Sequence, residues 1–235
     1  MGLKESGLRG SLRNVSVGID AIPDSAIAQY PIEETGGDTF SDTLGDLADF
    51  TVSSNDKFVS DSEFQDGQKL DLTNDYANTN SFWSFEFDSN WSVGFTVVFD
   101  ALSMDDVIFT AGNGNDNYRV GISRDSDAET IVWGSNVDGD FVNNSKDNFL
   151  STNTKLRFLF GCHEDGTTEL WSNASQLTPD GNEEAFAVQD DEVVIGAARS
   201  NGDNQSSIFV DNIIPYNILP NEDLAQQDFN VQPWS

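Results

Sequence analysis

The 235-residue chain is predicted to fold as one all-β sandwich with an extended N-terminal arm. Three observations predict it. Short runs rich in Val, Ile, Phe and Trp recur between clusters of Gly, Asn, Asp and Ser, the pattern of strands and turns. No stretch keeps a helical apolar period beyond about two turns. No linker divides the body, so its strands share one core.

In chain order, residues 1–25 read as an arm. Gly2, Gly7, Gly10 and Gly18 oppose a helix there, and Lys4, Arg9 and Arg13 stand against Glu5 alone. Residues 26–228 form the body. Its clearest strand runs are Phe95–Phe99, Val107–Thr110, Tyr118–Ile122, Thr130–Trp133, Lys155–Phe160, Glu169–Trp171, Val193–Ile195 and Ser207–Val210. Gly112–Asn117, Asp138–Asp140, Glu164–Gly166 and Pro179–Asn182 separate them; Asn, Asp and Gly tolerate the positive φ of tight hairpins. One short helix is expected over Asn221–Gln227, with Asn221 as N-cap. Residues 229–235 form a tail in which Trp234 has no core to join, so it reads as a subunit contact.

Eleven Lys and Arg against 41 Asp and Glu give a net charge of −30. That excludes a nucleic-acid partner, which needs a basic face, and argues against an anionic membrane surface. No apolar run is long enough to span a bilayer, and the first residues lack the apolar core of a signal peptide. A single cysteine, Cys162, excludes an internal disulfide framework. Asp outnumbers Glu 29 to 12 and Lys is only 5. Such a surface repels itself in dilute buffer, and molar salt screens the repulsion, so a halophilic source is expected.

The order of motifs resembles a laminin-G-like domain of the concanavalin A-like jelly-roll class. Ala28–Glu34 followed by Asp42–Asp46 resembles the family's opening strand and turn. Gly67-Gln68-Lys69-Leu70-Asp71-Leu72 is similar to its second strand, and Val93–Phe99 to its central one. Leu156–Phe160, Asp165-Gly166 and Thr168–Trp171 resemble the late strand pair. Val194-Ile195-Gly196, then Phe209–Leu219 and Glu222-Asp223-Leu224, resembles the closing strands and helix. There are departures: Trp171-Ser172-Asn173-Ala174 replaces the usual Tyr-x-Asp-Gly, and Pro215 makes the last strand edge-like or bulged. The resemblance implies a lectin-like β-sandwich; some members bind calcium and sugars at one rim, which fold alone does not carry over. Leu8–Ser16 with Ile22–Ser25 also resembles the leader of surface-appendage proteins of haloarchaeal tailed viruses.

Glycoside hydrolases of this class use a Glu-x-Asp-x-x-Glu strand to aim paired carboxylates into a cleft. The motif is absent. Glu86 and Asp88 share one strand face, but Phe82, Trp83, Phe85 and Phe87 leave them on the solvent side, so no enzyme is expected. Cys162 and His163 are strand neighbours pointing to opposite faces, which suits a buried thiol and an exposed imidazole rather than a nucleophile and base. With one His and one Cys the usual zinc site cannot be built. Calcium takes carboxylate and carbonyl oxygens, and the loop of Asn113, Asn115 and Asp116 is the first choice for it. Trp83, Trp91, Trp133 and Trp171 read as core filling.

The expectation is therefore a non-enzymatic virion structural protein of a halophilic virus: a capsid turret, decoration protein or tail fibre. It would sit at the virion surface, with Lys4, Arg9 and Arg13 docking on a capsid or tail protein. The sandwich would face outward toward host surface glycans, in a homo-oligomer. The alternative is a cellular secreted carbohydrate-binding or adhesion module.

Overall fold

The structure, a computed structural model, describes residues 22–32, 34, 36–44, 47–54, 57–60, 68–79, 90–113, 116–123, 127–137, 140–180, 192–199 and 202–231. The first strands are β1 (Thr39–Phe40), β2 (Phe50–Val52), β3 (Phe58–Ser60), β4 (Gln68–Asp71) and β5 (Ala77–Thr79). Long strands follow: β6 (Trp91–Ala101), β7 (Val107–Asn113), β8 (Asp116–Ile122), β9 (Ile131–Val137), β10 (Asp140–Lys146) and β11 (Lys155–Cys162). The rest are β12 (Thr168–Ser172), β13 (Ser175–Gln176), β14 (Val193–Ile195), β15 (Ser207–Tyr216) and one helix, α1 (Glu222–Asn230). They form two antiparallel sheets, β1-β2-β5-β14-β7-β8-β9-β10 and β13-β12-β11-β6-β15-β4-β3. The predicted all-β jelly-roll sandwich is the observed architecture.

Side-chain alternation explains why the sheets stack. On β6, Trp91, Val93, Phe95, Val97 and Phe99 point inward; on β11, Leu156, Phe158, Phe160 and Cys162 do. The facing sheet answers with Phe109, Ala111, Tyr118, Val120, Ile122, Ile131 and Trp133. Phe95 and Phe109 stack across the sandwich at 5.7 Å between centroids, and Trp91 meets Tyr118 edge-on at 5.9 Å. The rings of Phe40, Phe50 and Tyr30 pack together in the same core, with Tyr30 Oη donating to the Ala48 carbonyl at 2.7 Å.

The last strand changes face midway. Ile208 and Val210 join the core, whereas Ile214 and Tyr216 lie on the back of the sheet. Equal parity with opposite faces requires a bulge, and the β15–β6 register does shift between Asp211 and Ile214, where Asn212 has φ +46°. Ile213, out of register with β6, exchanges backbone hydrogen bonds with Tyr30 at 2.9 and 3.0 Å. Pro215 thus stands in a bulged strand, though between β6 and the chain at Ala26–Tyr30 rather than at a bare edge.

The helix covers that back face. Asn221 caps it, its Oδ1 accepting from the Leu224 N–H at 2.9 Å, as expected. Leu224, Ala225 and Asp228 turn toward the sheet and pack with Leu159, Ile214, Tyr216 and Val231. Ile22, Ala26 and Trp171 close the cluster. Both ends of the described body therefore meet on one side of the sandwich. Gly94 on β6 leaves room for the helix: a Cβ there would collide with the Asp228 carboxylate and lie 2.5 Å from Arg157 Nη2. Gly94→Ala is expected to cost about 1–3 kcal/mol, read from the urea midpoint, because both contacts are rigidly held.

Candidate functional site

Two places gather buried polar groups. Behind the seven-stranded sheet, Arg157 is 1 % exposed, and all three of its guanidinium nitrogens donate hydrogen bonds. Nε and Nη2 bind the two Asp228 oxygens at 2.8 and 2.5 Å, and Nη1 reaches the Asn212 carbonyl and Thr96 Oγ1. Tyr216 Oη donates to Asp228 Oδ1 at 2.5 Å. Burial and the adjacent Asp228 carboxylate hold the Tyr216 phenol well above its ordinary range, so it stays a donor. Burial opposes the Arg157 charge, but Asp228 overcomes this and the guanidinium remains firmly protonated. The cluster is closed by α1 and ties that helix to the sheet.

The other sheet turns a different surface outward. Strand register lines Thr51, Asn78, Val194, Thr110, Arg119, Gly134 and Asn143 across seven strands as one transverse row. Neighbours such as Phe50, Val52, Val193, Ile195, Phe109, Ala111, Tyr118, Val120 and Trp133 point into the core, so this row faces away from it. None of these positions is acidic, in a chain with 41 carboxylates. Val194, Thr110 and Gly134 are buried, Val194 and Thr110 completely, so only Thr51, Asn78, Arg119 and Asn143 of this row reach solvent, each in part.

The segment between β14 and β15 borders the row. Gly196 N–H donates to the Ile108 carbonyl at 2.8 Å, Thr110 Oγ1 to the Ala197 carbonyl at 3.2 Å, and Val107 N–H to the Asn204 carbonyl at 3.1 Å. Gly196 (φ +86°) and Gly202 (φ +83°) permit this path. The strapped loop carries Arg199, paired with Asp203 at 3.7 Å, and brings Gly202 and Gln205 beside the half-exposed Tyr76 ring. Arg119 feels Arg199 and Asp105: burial lowers its affinity for a proton, Asp105 raises it, and Arg199 lowers it.

Beneath Asp105, burial pushes the Asp106 carboxyl up to about 6, with Asp105 adding to the rise and the Ser103 N–H opposing it. An unfolded aspartate titrates near 3.9. Between these values the folded state holds the extra proton, so this group's contribution to stability declines as pH rises from about 4 through about 6. Asp106→Asn should accordingly leave the melting temperature unchanged at pH 4 and raise it at pH 7.5. A difference independent of pH would contradict the burial of this carboxylate.

Lys4, Arg9, Arg13, Trp234, Glu86, Asp88 and Asn115 lie outside the described residues. Asn113 and Asp116 are the closing pair of the β7–β8 hairpin. Among the described residues no group of three or more His, Cys, Asp or Glu is arranged for a metal. Cys162 is buried, and burial raises its thiol pKa well above the ordinary value; His163 is half-exposed, 3.3 Å from Glu169. Trp91 and Trp133 fill the core, and Trp171 packs behind it. Sequence reasoning missed Arg119. Its one signal was an arginine placed outward in an alternating strand of a chain that has only 11 basic residues.

No protein-family model and no curated protein sequence matches the chain. Solved structures do. A Trypanosoma rangeli sialidase in complex with 2,3-difluorosialic acid superposes with a TM-score of 0.66 at 14 % identity, over 89 % of this chain and 34 % of that one. Domain 4 of AbnA, a GH43 extracellular arabinanase from Geobacillus stearothermophilus, in complex with arabinotriose, gives 0.62 at 11 % identity over 87 % and 98 %. The botulinum neurotoxin serotype D binding domain gives 0.63 at 16 % identity over 88 % and 51 %.

The likeness is one of fold. The chain spans about a third of the length of the sialidase chains it matches. One expectation is corrected by it. The sequence reading ruled out an enzyme from the missing carboxylate motif, yet the fold recurs within sialidases, which are enzymes. A motif belonging to one hydrolase class does not test the chemistry of another, so that exclusion does not stand.

Proposed function

We propose that the chain is a carbohydrate-binding β-sandwich module whose binding surface is the outward row of the eight-stranded sheet. The observation carrying this reading is the set of partly exposed groups in that row: the Thr51 hydroxyl, the Asn78 and Asn143 amides and the Arg119 guanidinium, on the face opposite the one α1 covers. Sugars are held by such groups, which fix orientation at a largely preformed surface. The fold shared with an arabinanase domain carrying arabinotriose supports it. Full-length protein applied to an array of glycans at 0.15 M and 3 M NaCl tests the reading, with released reducing ends measured on the same glycans. Retention of a defined glycan class supports it; no retention at either salt contradicts it.

The finer proposal places this module at the surface of a halophilic virion, as a turret, decoration protein or tail fibre. What supports it is charge: a basic stretch at Lys4, Arg9 and Arg13 ahead of a strongly acidic body. That stretch would dock a homo-oligomer on an acidic capsid or tail protein, leaving the row toward host glycans. Removing residues 1–20 should abolish incorporation into particles without lowering the melting temperature; unchanged incorporation would sink it. Calcium at the Asn113–Asn115–Asp116 hairpin belongs to the same proposal, and repeating the array with chelator tests it.

A further inference from the structure

We infer that the interior of the sandwich binds a small cluster of ordered water between β9 and β12, at a site built by three buried polar atoms and independent of the carbohydrate reading. Register locates it. On one sheet Ser172, Phe158 and Phe95 stand side by side; on the other Phe109, Val120 and Trp133 do. Phe95 stacks on Phe109 at 5.7 Å, so the two rows face each other and Ser172 lies at the same end as Trp133. A second pair of rows repeats the arrangement. Thr168, Cys162 and Trp91 face Tyr118 and Ser135, with Trp91 meeting Tyr118 at 5.9 Å. Paired residues of an antiparallel ladder share a face. Phe158, Cys162, Val120 and Tyr118 are core residues, so Ser172, Thr168, Trp133 and Ser135 point inward. An interior that is largely apolar along β6, β7, β8 and β11 therefore ends on hydroxyls and an indole N–H where β12 lies against β9.

Trp133 is 1 % exposed and Ser172 6 %. Trp133 Nε1, Ser172 Oγ and Thr168 Oγ1 are buried atoms with no hydrogen-bond partner among the described residues. Buried polar groups are almost always paired, because leaving one unpaired is costly. Whatever satisfies these three must accept from the indole, which only donates, and trade hydrogen bonds with hydroxyls, which do both. It must also be neutral. The lining groups carry no charge, and burial keeps the neighbouring Cys162 thiol protonated. Glu169 on β12 points to the opposite face, toward His163 and Trp171, so an ion inside would have no counter-charge. Finally it must be small, since the chain closes over that end. Leu177 N–H donates to the Leu170 carbonyl and Asp180 N–H to the Ser145 carbonyl, both at 2.8 Å, so residues 177–180 run from β12 to β10 across the gap between the sheets. Leu177 packs on the core, and Lys146 holds Asp180 at 2.7 Å. Water meets all three demands.

The experiment is a crystal structure of the full chain at a resolution that shows ordered water, joined to melting curves of two conservative variants. Density for water should stand within about 3 Å of Trp133 Nε1 and of at least one of the two hydroxyls. Ser172→Ala and, separately, the near-isosteric Thr168→Val should each lower the melting temperature by about 2–4 °C, because each takes a partner from a water that stays buried. A dry interior predicts the reverse: removing a hydroxyl that bonds to nothing relieves a cost, and both variants melt higher or unchanged. No density beside Trp133 Nε1, or a protein group bonded to it, overturns the inference. Density for a larger molecule on the same atoms overturns water as the guest. Where the two measurements disagree, the density decides. Neither outcome bears on glycan binding, which is read on the outer face of the other sheet.

Discussion

Asp228→Ala lowers the unfolding free energy by about 3–5 kcal/mol, the largest effect of any single substitution expected here. The carboxylate is 1 % exposed and takes two hydrogen bonds from Arg157 and one from the Tyr216 hydroxyl. Removing it strands a guanidinium that is 1 % exposed, and an unpaired buried charge costs far more than a lost surface ion pair. The pair itself need not be a large net gain, since both ions were desolvated to make it. Arg157→Met combined with Asp228→Ala should therefore recover much of the loss. Chemical denaturation of the wild type, both single variants and the double variant completes the cycle. A double variant no more stable than Asp228→Ala alone would show that α1 is held by packing of Leu224, Ala225 and Val231 rather than by this pair.

The second large effect is salt. Net charge −30 on 235 residues confines repulsive carboxylates that an unfolded chain can separate. The Debye length falls from about 10 Å at 0.1 M to about 3 Å at 1 M, so repulsion between neighbouring surface acids is largely screened in that range. The melting temperature should climb steeply up to about 1 M NaCl and more slowly beyond. Equal stability at 50 mM and 3 M would contradict a salt-adapted surface.

Much of the fold was legible because strand periodicity is local. Runs such as Phe95–Phe99, Lys155–Phe160 and Ser207–Val210 lie within observed strands, and Asn221 caps the helix it was expected to cap. What escaped were elements whose residues carry no strand signature of their own. β10, Asp140-Phe141-Val142-Asn143-Asn144-Ser145-Lys146, is half polar amide and hydroxyl, and is a strand because β9 pairs with it residue by residue. β5, Ala77-Asn78-Thr79, is short and held between β2 and β14. The β15 bulge could be suspected from Pro215 but not its consequence, the reversal of face that brings Tyr216 to Asp228.

The candidate site was less legible than the fold, for a physical reason. Sequence alone points to contiguous runs such as Asn113–Asn117 and Glu86–Asp88. The row is assembled from seven strands by register, so no two of its members are neighbours in sequence. Arg157 shows the same limit from the other side. An arginine in an alternating strand is normally solvated, and only the helix arriving 71 residues later makes it buried and paired.

The most direct test of the account is a map of backbone amide shifts in labelled protein titrated with a bound oligosaccharide. Shifts are expected along the eight-stranded sheet at Thr51, Asn78, Arg119 and Asn143, and none on α1. Shifts centred on the turn at Glu164–Gly166, on α1, or nowhere on the row would contradict it.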